Sequence, residues 1–319
     1  MDHVAAIDAG SNGIRLVIGA VNTDGVVEEV FNVRKAVRLG ADAFGTGRFS
    51  SSTIDLAAGA FAEFRTQLDR FGVIELRAVA TSASREAENA DELVAAIASE
   101  TRIHLEIIDG LEEAQLVFRA VDGGVDLRDK RALLIDMGGG SVEVTVARNR
   151  RALACETLPL GPVRLLQRLK ESGLGETDVP TLLENRRGVI RSMIQAEFER
   201  GADALDIAVG TGGNISRMAK LARTHHGNKN GRPVPTETLR RIVKQLSELS
   251  IQQRIDDLGM RPDRADVVGI ACRVLLAILE DASIDALVIP RVGLKEGLLR
   301  DVARRLVATA GPPHVTDGP

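Results

Sequence analysis

Two stretches decide the fold: VAAIDAGSNGIRLVIGAV at residues 4–21 and RALLIDMGGGSVEVTVA at residues 131–147. Each reads as an apolar strand that ends on an aspartate, a turn of small residues, and a returning strand with alternating apolar positions. Ile7-Asp8-Ala9-Gly10-Ser11 stands against Ile135-Asp136-Met137-Gly138-Gly139 at a constant offset of 128. That offset is close to a domain length, so the pattern points to a duplication into two similar lobes.

Working outward, the first stretch is followed by a turn at Asp24-Gly25 and a third strand around Val26–Leu39. Periodicity then predicts a helix at Thr53–Phe71, a strand at Glu75–Ala80, a helix at Ala90–Glu100, a strand at Ile103–Ile108 and a helix at Gly110–Val121. Gly123-Gly124 breaks the pattern, and the second start follows with a third strand at Ala152–Leu158. Helices are expected at Val163–Glu171, Val179–Arg200, Ile215–Ala222, Glu237–Leu249 and Ala265–Leu279, with buried strands at Ala204–Val209 and Ala286–Ile289. The expected organisation is α/β: lobe I over 1–124, lobe II over 125–319, and a closing helix at about 294–310 packing back on lobe I.

Composition narrows the function classes. The net charge is −4, so a uniformly basic surface for nucleic acid is not expected. The chain holds no Trp, no Tyr and 8 Phe, which removes the stacking platforms that single-strand binders use. An anionic ligand must then be met by loops and a few Arg or Lys. Cys155 and Cys272 have no metal-type spacing and read as buried thiols in a reducing compartment. No apolar run approaches the ~20 residues that span a bilayer, and the chain enters a strand by Val4, so a cytoplasmic protein without a signal peptide is expected.

Glycine at a strand-to-strand turn lets backbone N–H groups converge on phosphate oxygens without side-chain obstruction. Ser11 and Ser141 add hydroxyl donors at these turns. An aspartate beside phosphate is repelled unless a Mg²⁺ lies between them, and that ion favours oxygen ligands. Asp8 and Asp136 are therefore expected to hold Mg²⁺ between two facing turns. A third turn, Gly210-Thr211-Gly212-Gly213-Asn214, opens a predicted helix. It fits either an anion site, with Gly212 and Gly213 on phosphate, or an ordinary helix cap.

Five segments in order, AIDAGSNGIRLVI, ATSASREAENADEL, IIDGLEEAQLVF, LLIDMGGGSVEV and AVGTGGNISRMAKL, resemble the exopolyphosphatase and guanosine pentaphosphate phosphohydrolase family. The resemblance runs from Val4 to about Asp301. It implies an actin-like ATPase (ribonuclease H-like) fold and hydrolysis of terminal phosphate from inorganic polyphosphate, with pppGpp hydrolysis or weakly catalytic binding of either ligand as alternatives. It assigns Glu113 as general base and Glu143 as a second glutamate that ligates Mg²⁺ or positions water. The alternative for Glu143 is a solvent-facing strand residue, since it alternates away from Val142, Val144 and Val146. Arg85 would clamp phosphate or pair with Glu86 or Glu88. Asn12 and Gly13 of the first turn, and Gly138, Gly139 and Gly140 of the second, complete the expected phosphate contacts, while Arg15 fits a phosphate contact or a structural ion pair.

Some positions depart from the family pattern. Gly13 stands where Ser or Thr is frequent, and Pro290 and Lys295 stand where Ser and Arg are usual. No helical hydrolase domain is expected after the two lobes. Loop THHGNKNGRP reads as exposed, and the clusters Arg148–Arg151, Arg186-Arg187 and Arg240-Arg241 read as solvated faces or a track for polyanion. The expected partners are polyphosphate or pppGpp, neither nucleic acid nor membrane, with a homodimer left open.

Overall fold

The structure, a computed structural model, describes residues 1–22, 25–186, 188–198, 205–229 and 232–310. Residues 23, 24, 187, 199–204, 230, 231 and 311–319, which fall in segments named above, lie outside the described residues.

The first lobe runs β1 (Asp2–Gly10), β2 (Gly13–Val21), β3 (Val27–Lys35), α1 (Leu39–Gly45), α2 (Ser51–Phe71), β4 (Val73–Ala80), α3 (Ser82–Glu86), α4 (Ala90–Thr101), β5 (Leu105–Ile107) and α5 (Gly110–Asp122). Its sheet has the order β3-β2-β1-β4-β5, with β1–β2–β3 antiparallel and β4 and β5 parallel to β1. The second lobe runs β6 (Arg131–Met137), β7 (Val142–Arg148), β8 (Arg151–Leu158), α6 (Pro162–Glu171), α7 (Val179–Leu183), α8 (Val189–Glu197), β9 (Ile207–Thr211) and α9 (Gly213–His225). It continues through β10 (Val234–Pro235), α10 (Thr236–Ser247), α11 (Ile251–Asp256), α12 (Pro262–Ala265), α13 (Val268–Asp281) and β11 (Ala286–Leu287), after which α14 (Leu294–Ala310) returns to pack on the first sheet and α5. Here the order is β8-β7-β6-β9, and a parallel bridge from Val209 to Val288 sets the β11 segment beside β9. The second sheet thus repeats the order of the first.

Strand alternation decides which residues face the space between the lobes. On β1, Ala5, Ile7 and Ala9 pack with Phe61, Phe64 and Leu93 of α2 and α4, whereas Val4 and Ala6 pack under Leu298 and Val302 of α14. Asp8 shares the Val4–Ala6 side. On β6 and β7, Leu133, Ile135, Val142, Val144 and Val146 enter the large core of the second lobe. Ala132, Leu134 and Ala147 meet Val117 and Val121 of α5 on the other face. Helix α5 contributes Leu116 to the core under α14 and Val117 to the core on β6, so it lies between the two sheets. Asp136 and Glu143 are on the α5 side.

Four local expectations change. The helix expected over Val179–Arg200 is two helices, because Gly188 takes φ 80° and Asp281 accepts from the backbone N–H groups of Gly188 and Ile190. The helix expected from Ala265 is broken near Asp266, leaving α12 with Pro262 in its first turn, then α13. Helices α1 and α3 are short turns without a full amphipathic period, in stretches for which periodicity gave no helix. The capped turn α11, where Ser250 accepts from Gln253 N–H, was also missed.

Candidate active site

The turns between β1 and β2 and between β6 and β7 face each other. A Cβ built on Gly139 would stand 3.0 Å from Ser11 Cβ and 3.3 Å from Asn12 N, so the two turns approach closely and a side chain there would be tight. Beside them opens a cleft of about 850 Å³ lined by Asp8, Ser11, Asn12, Gly13, Glu113, Asp136, Gly138, Gly139, Gly212 and Gly213, among others. Gly212 takes φ 99°, and any Cβ there would meet the Met137 carbonyl oxygen at 2.4 Å. The third turn is thereby packed onto the end of β6. Thr211 at that turn donates from Oγ1 to Asp136 Oδ1 at 2.5 Å.

Three carboxylates converge. Glu113, Asp136 and Glu143 each offer an oxygen within 4.8 Å of the other two, and all three residues are buried. Asp136 and Glu143 are direct partners in the β6–β7 register, on the face that α5 covers. Glu143 is 2% exposed, which overturns the solvent-facing reading. Glu113 arrives from the first turn of α5. Asp109 caps that helix by accepting from Glu112 N–H at 2.8 Å. Glu112 turns the other way, onto Arg77, which also binds Glu106 and Asp301.

Burial sets the protonation chemistry. Glu113 is raised well above the usual carboxylate range, first by burial and then by Glu143, with Arg85 opposing. Glu143 is pushed up to about 7 by burial and Asp136. Neither of its oxygens meets a donor at hydrogen-bonding geometry, although the Ser141 side chain offsets part of the rise. Burial also raises Asp136 and takes Asp8 to about 6, in the latter case with Arg15 opposing and Asp136 adding. Buried carboxylates with no partner are costly unless neutralised, and this all-oxygen set fits a hard divalent cation. Asp8 stands outside the trio, near the end of β1, where the charge of Asp136 adds to its raised proton affinity.

The other expected residues fall in several places. Arg85 does not pair with Glu86 or Glu88; its Nη1 donates to Glu113 Oε2 at 2.9 Å and to the Ile108 carbonyl at 2.9 Å. Glu86 instead takes Arg164 of the second lobe, whose Nε also donates to the Gly140 carbonyl. Gly140 packs against Phe44 and Ser82, and neither it nor Ser141 is among the lining residues. Arg15 donates to Asn32 Oδ1 at 3.1 Å and also lines the cleft.

Gly13 has a local reason. A Cβ there would meet the Arg34 guanidinium at 2.4 Å, and Arg34 binds the Asn12 carbonyl and Asp263. Arg34–Asp263 and Arg38–Asp266, each at 2.7 Å, join the lobes across this end of the cleft. Pro290 and Lys295 line the cleft too, with Lys295 paired to Glu29 and Glu296.

Sequence reasoning missed Thr211, Arg34, Arg264 and the cations Arg217, Lys220 and Arg223 of α9, all but Thr211 in the cleft wall. The last three recur every third residue on a helix that begins at a Gly-rich turn, a spacing that places them near one face. The clusters that were flagged lie elsewhere: Arg150 pairs with Asp122, Arg148 sits 5.0 Å from the Phe198 ring centroid, and Arg240 pairs with Glu237 and Glu280.

A duplicated sheet, with facing glycine turns and a carboxylate trio of which Glu113 and Asp136 line the cleft and Glu143 is buried behind them, defines an actin-like ATPase fold equipped for phosphoryl chemistry. Residues 17–306 match the Ppx/GppA phosphatase family, and the chain belongs to that family. It is 29% identical to exopolyphosphatase 2 of Mycobacterium tuberculosis over 95% of this chain and 99% of that one. It is 25% identical to a guanosine-5′-triphosphate,3′-diphosphate pyrophosphatase of Vibrio parahaemolyticus, over 95% of this chain and 59% of that one. The crystal structure of an exopolyphosphatase from Cytophaga hutchinsonii superposes with a TM-score of 0.82 at 26% identity, covering 95% of this chain and 98% of the other. Among the described residues no helix is long and apolar enough to cross a membrane.

Proposed function

We propose that the chain is an exopolyphosphatase that removes the terminal phosphoryl group of inorganic polyphosphate. One observation carries the reading: a buried glutamate on α5, with its proton affinity raised, faces two further carboxylates at glycine turns built to receive phosphate. Hydrolysis of a phosphoanhydride is chiefly positioning plus charge neutralisation, with a group to accept the water proton. In our reading, backbone N–H groups of the two turns hold the terminal phosphoryl oxygens. Glu113, steadied by Arg85, takes the proton as the water oxygen bonds to phosphorus. The bond from phosphorus to the bridging oxygen breaks, and the chain, one unit shorter, leaves with that electron pair.

Asp136 and Glu143 would hold Mg²⁺, with Asp8 across the cleft. When bound, the ion supplies positive charge against the phosphoryl oxygens and pulls the raised carboxylates down. The two thiols are free, Cys272 buried as expected and Cys155 only half-buried, and they support a cytoplasmic setting.

Hydrolysis of pppGpp at the same site is the second reading, favoured by the Vibrio relative. Among the described residues that line the cleft none is aromatic, which favours a bare polyanion over a stacked base. A catalytically weak binding protein would not need Glu113 held at the trio. The test is phosphate release with Mg²⁺ from long polyphosphate, tripolyphosphate, pppGpp and ATP side by side. Highest kcat/KM on polyphosphate supports the proposal; highest on pppGpp, or tight binding without release, replaces it.

A further inference from the structure

We infer that the outer cleft is a second anion subsite, formed by Lys220 and Arg223 of α9 with Arg291 of the loop before α14, which holds phosphoryl units remote from the one hydrolysed. The inference rests on the polyphosphate reading of the inner site and assigns to that substrate the residues that sense its length.

Helix α9 starts at Gly213, beside the inner turns, and its exposed side forms one wall of the cleft with Gly213, Ser216, Arg217, Lys220 and Arg223. At ~1.5 Å per residue, Arg223 lies about 15 Å along the axis from Gly213. Arg291 faces the same space from the segment between β11 and α14. A ligand reaching these groups from the carboxylate trio must be extended and carry negative charge at both ends.

The inner cations are already engaged. Arg34 holds Asp263 and the Asn12 carbonyl, Arg264 donates to Asn214 Oδ1, Arg217 holds the Leu258 and Gly259 carbonyls, and Lys295 pairs with Glu29 and Glu296. Lys220, Arg223 and Arg291 are exposed and, among the described residues, none has an ion-pair or side-chain hydrogen-bond partner. Arg223 in the last turn of α9 also suits the helix dipole. That does not account for Lys220 a turn earlier, or for Arg291 on a separate segment facing the same cleft. Like charges converging on one cleft raise the local concentration of an anion.

The test compares wild type with a Lys220→Ala/Arg223→Ala double variant and with Arg291→Ala. All three positions are exposed, and a matched melting temperature verifies the fold. The expected result is a loss on the order of tenfold in kcat/KM on long-chain polyphosphate, carried by KM, with a shallower dependence on salt. Tripolyphosphate, too short to reach α9's outer turn, should change less than about twofold by the same reasoning. An equal loss on both substrates, or none on either, overturns the subsite. A loss on pppGpp as large as on the long chain reassigns it to nucleotides and also overturns the inference. Equilibrium binding of long-chain polyphosphate to the same proteins separates this from failure of the hydrolase reading. If wild type releases no phosphate, that reading fails, while weaker binding by the double variant still supports the subsite and equal binding rejects it.

Discussion

Arg85 on α3 reaches Glu113 on α5, with Nη1 2.9 Å from Oε2, and the same nitrogen is shared with the Ile108 carbonyl at the end of the strand that leads into α5. The guanidinium therefore holds both the glutamate and the chain that delivers it. Because Arg85 is one of the few influences lowering the proton affinity of Glu113, its removal has a definite sign.

Replacing Arg85 with Ala should raise the proton affinity of Glu113 further, so the acidic limb of the kcat/KM profile moves to higher pH. Arg85→Lys keeps the charge and should recover part of the shift. Phosphate release measured across pH reads this directly, and an unmoved acidic limb would count against the pairing.

The buried carboxylates also tie stability to pH and metal. In the unfolded chain such groups titrate near roughly 4, whereas Asp8 is raised to about 6 and Glu143 to about 7 in the fold. Raised carboxyls contribute stability that is present below the unfolded value and lost as pH rises through the folded one. The metal-free protein should therefore lose stability from these groups between roughly pH 4 and 7. A divalent cation binds the deprotonated forms, so its stabilisation should grow over the same window. Thermal melts in chelator and in Mg²⁺, at about pH 5 and about pH 8, test the sign. A metal-induced shift no larger at the higher pH would be inconsistent with it.

Gly212 and Gly47 separate backbone strain from contact. Both have positive φ, 99° and 76°, but a Cβ at Gly212 meets the Met137 carbonyl oxygen while none at Gly47 meets anything within 4 Å. Gly47→Ala should cost about 1 kcal/mol and leave turnover unchanged. Gly212→Ala should cost roughly 1–3 kcal/mol for strain alone, plus the clash, and lower kcat because Met137 follows Asp136. Denaturant unfolding and phosphate release on both variants would show it.

Much of this was legible locally. The offset between Asp8 and Asp136 marked the ends of β1 and β6, because an apolar strand closed by a small-residue turn has a short-range signature. The family segments singled out Glu113, Glu143 and Arg85. What the sequence left open depended on contacts between lobes. Glu143 alternates away from Val142 and Val144, and only the placement of α5 shows that its face is buried. Arg85 had acidic neighbours at 86 and 88 yet pairs with position 113, since α3 and α5 both follow the C-terminal ends of the adjacent parallel strands β4 and β5. Dense arginine runs drew notice, while the cleft cations are spread over β3, α9, α12 and the loop before α14, and only folding collects them.

The role of Glu113 is tested most directly by Mg²⁺-dependent phosphate release from polyphosphate by the Glu113→Gln variant. The substitution preserves shape and a hydrogen-bonding oxygen for Arg85, so folding and melting temperature should stay close to wild type. Turnover should fall by roughly 10²–10⁴-fold, the range for a lost general base. Near wild-type turnover in a folded Glu113→Gln protein would contradict the account.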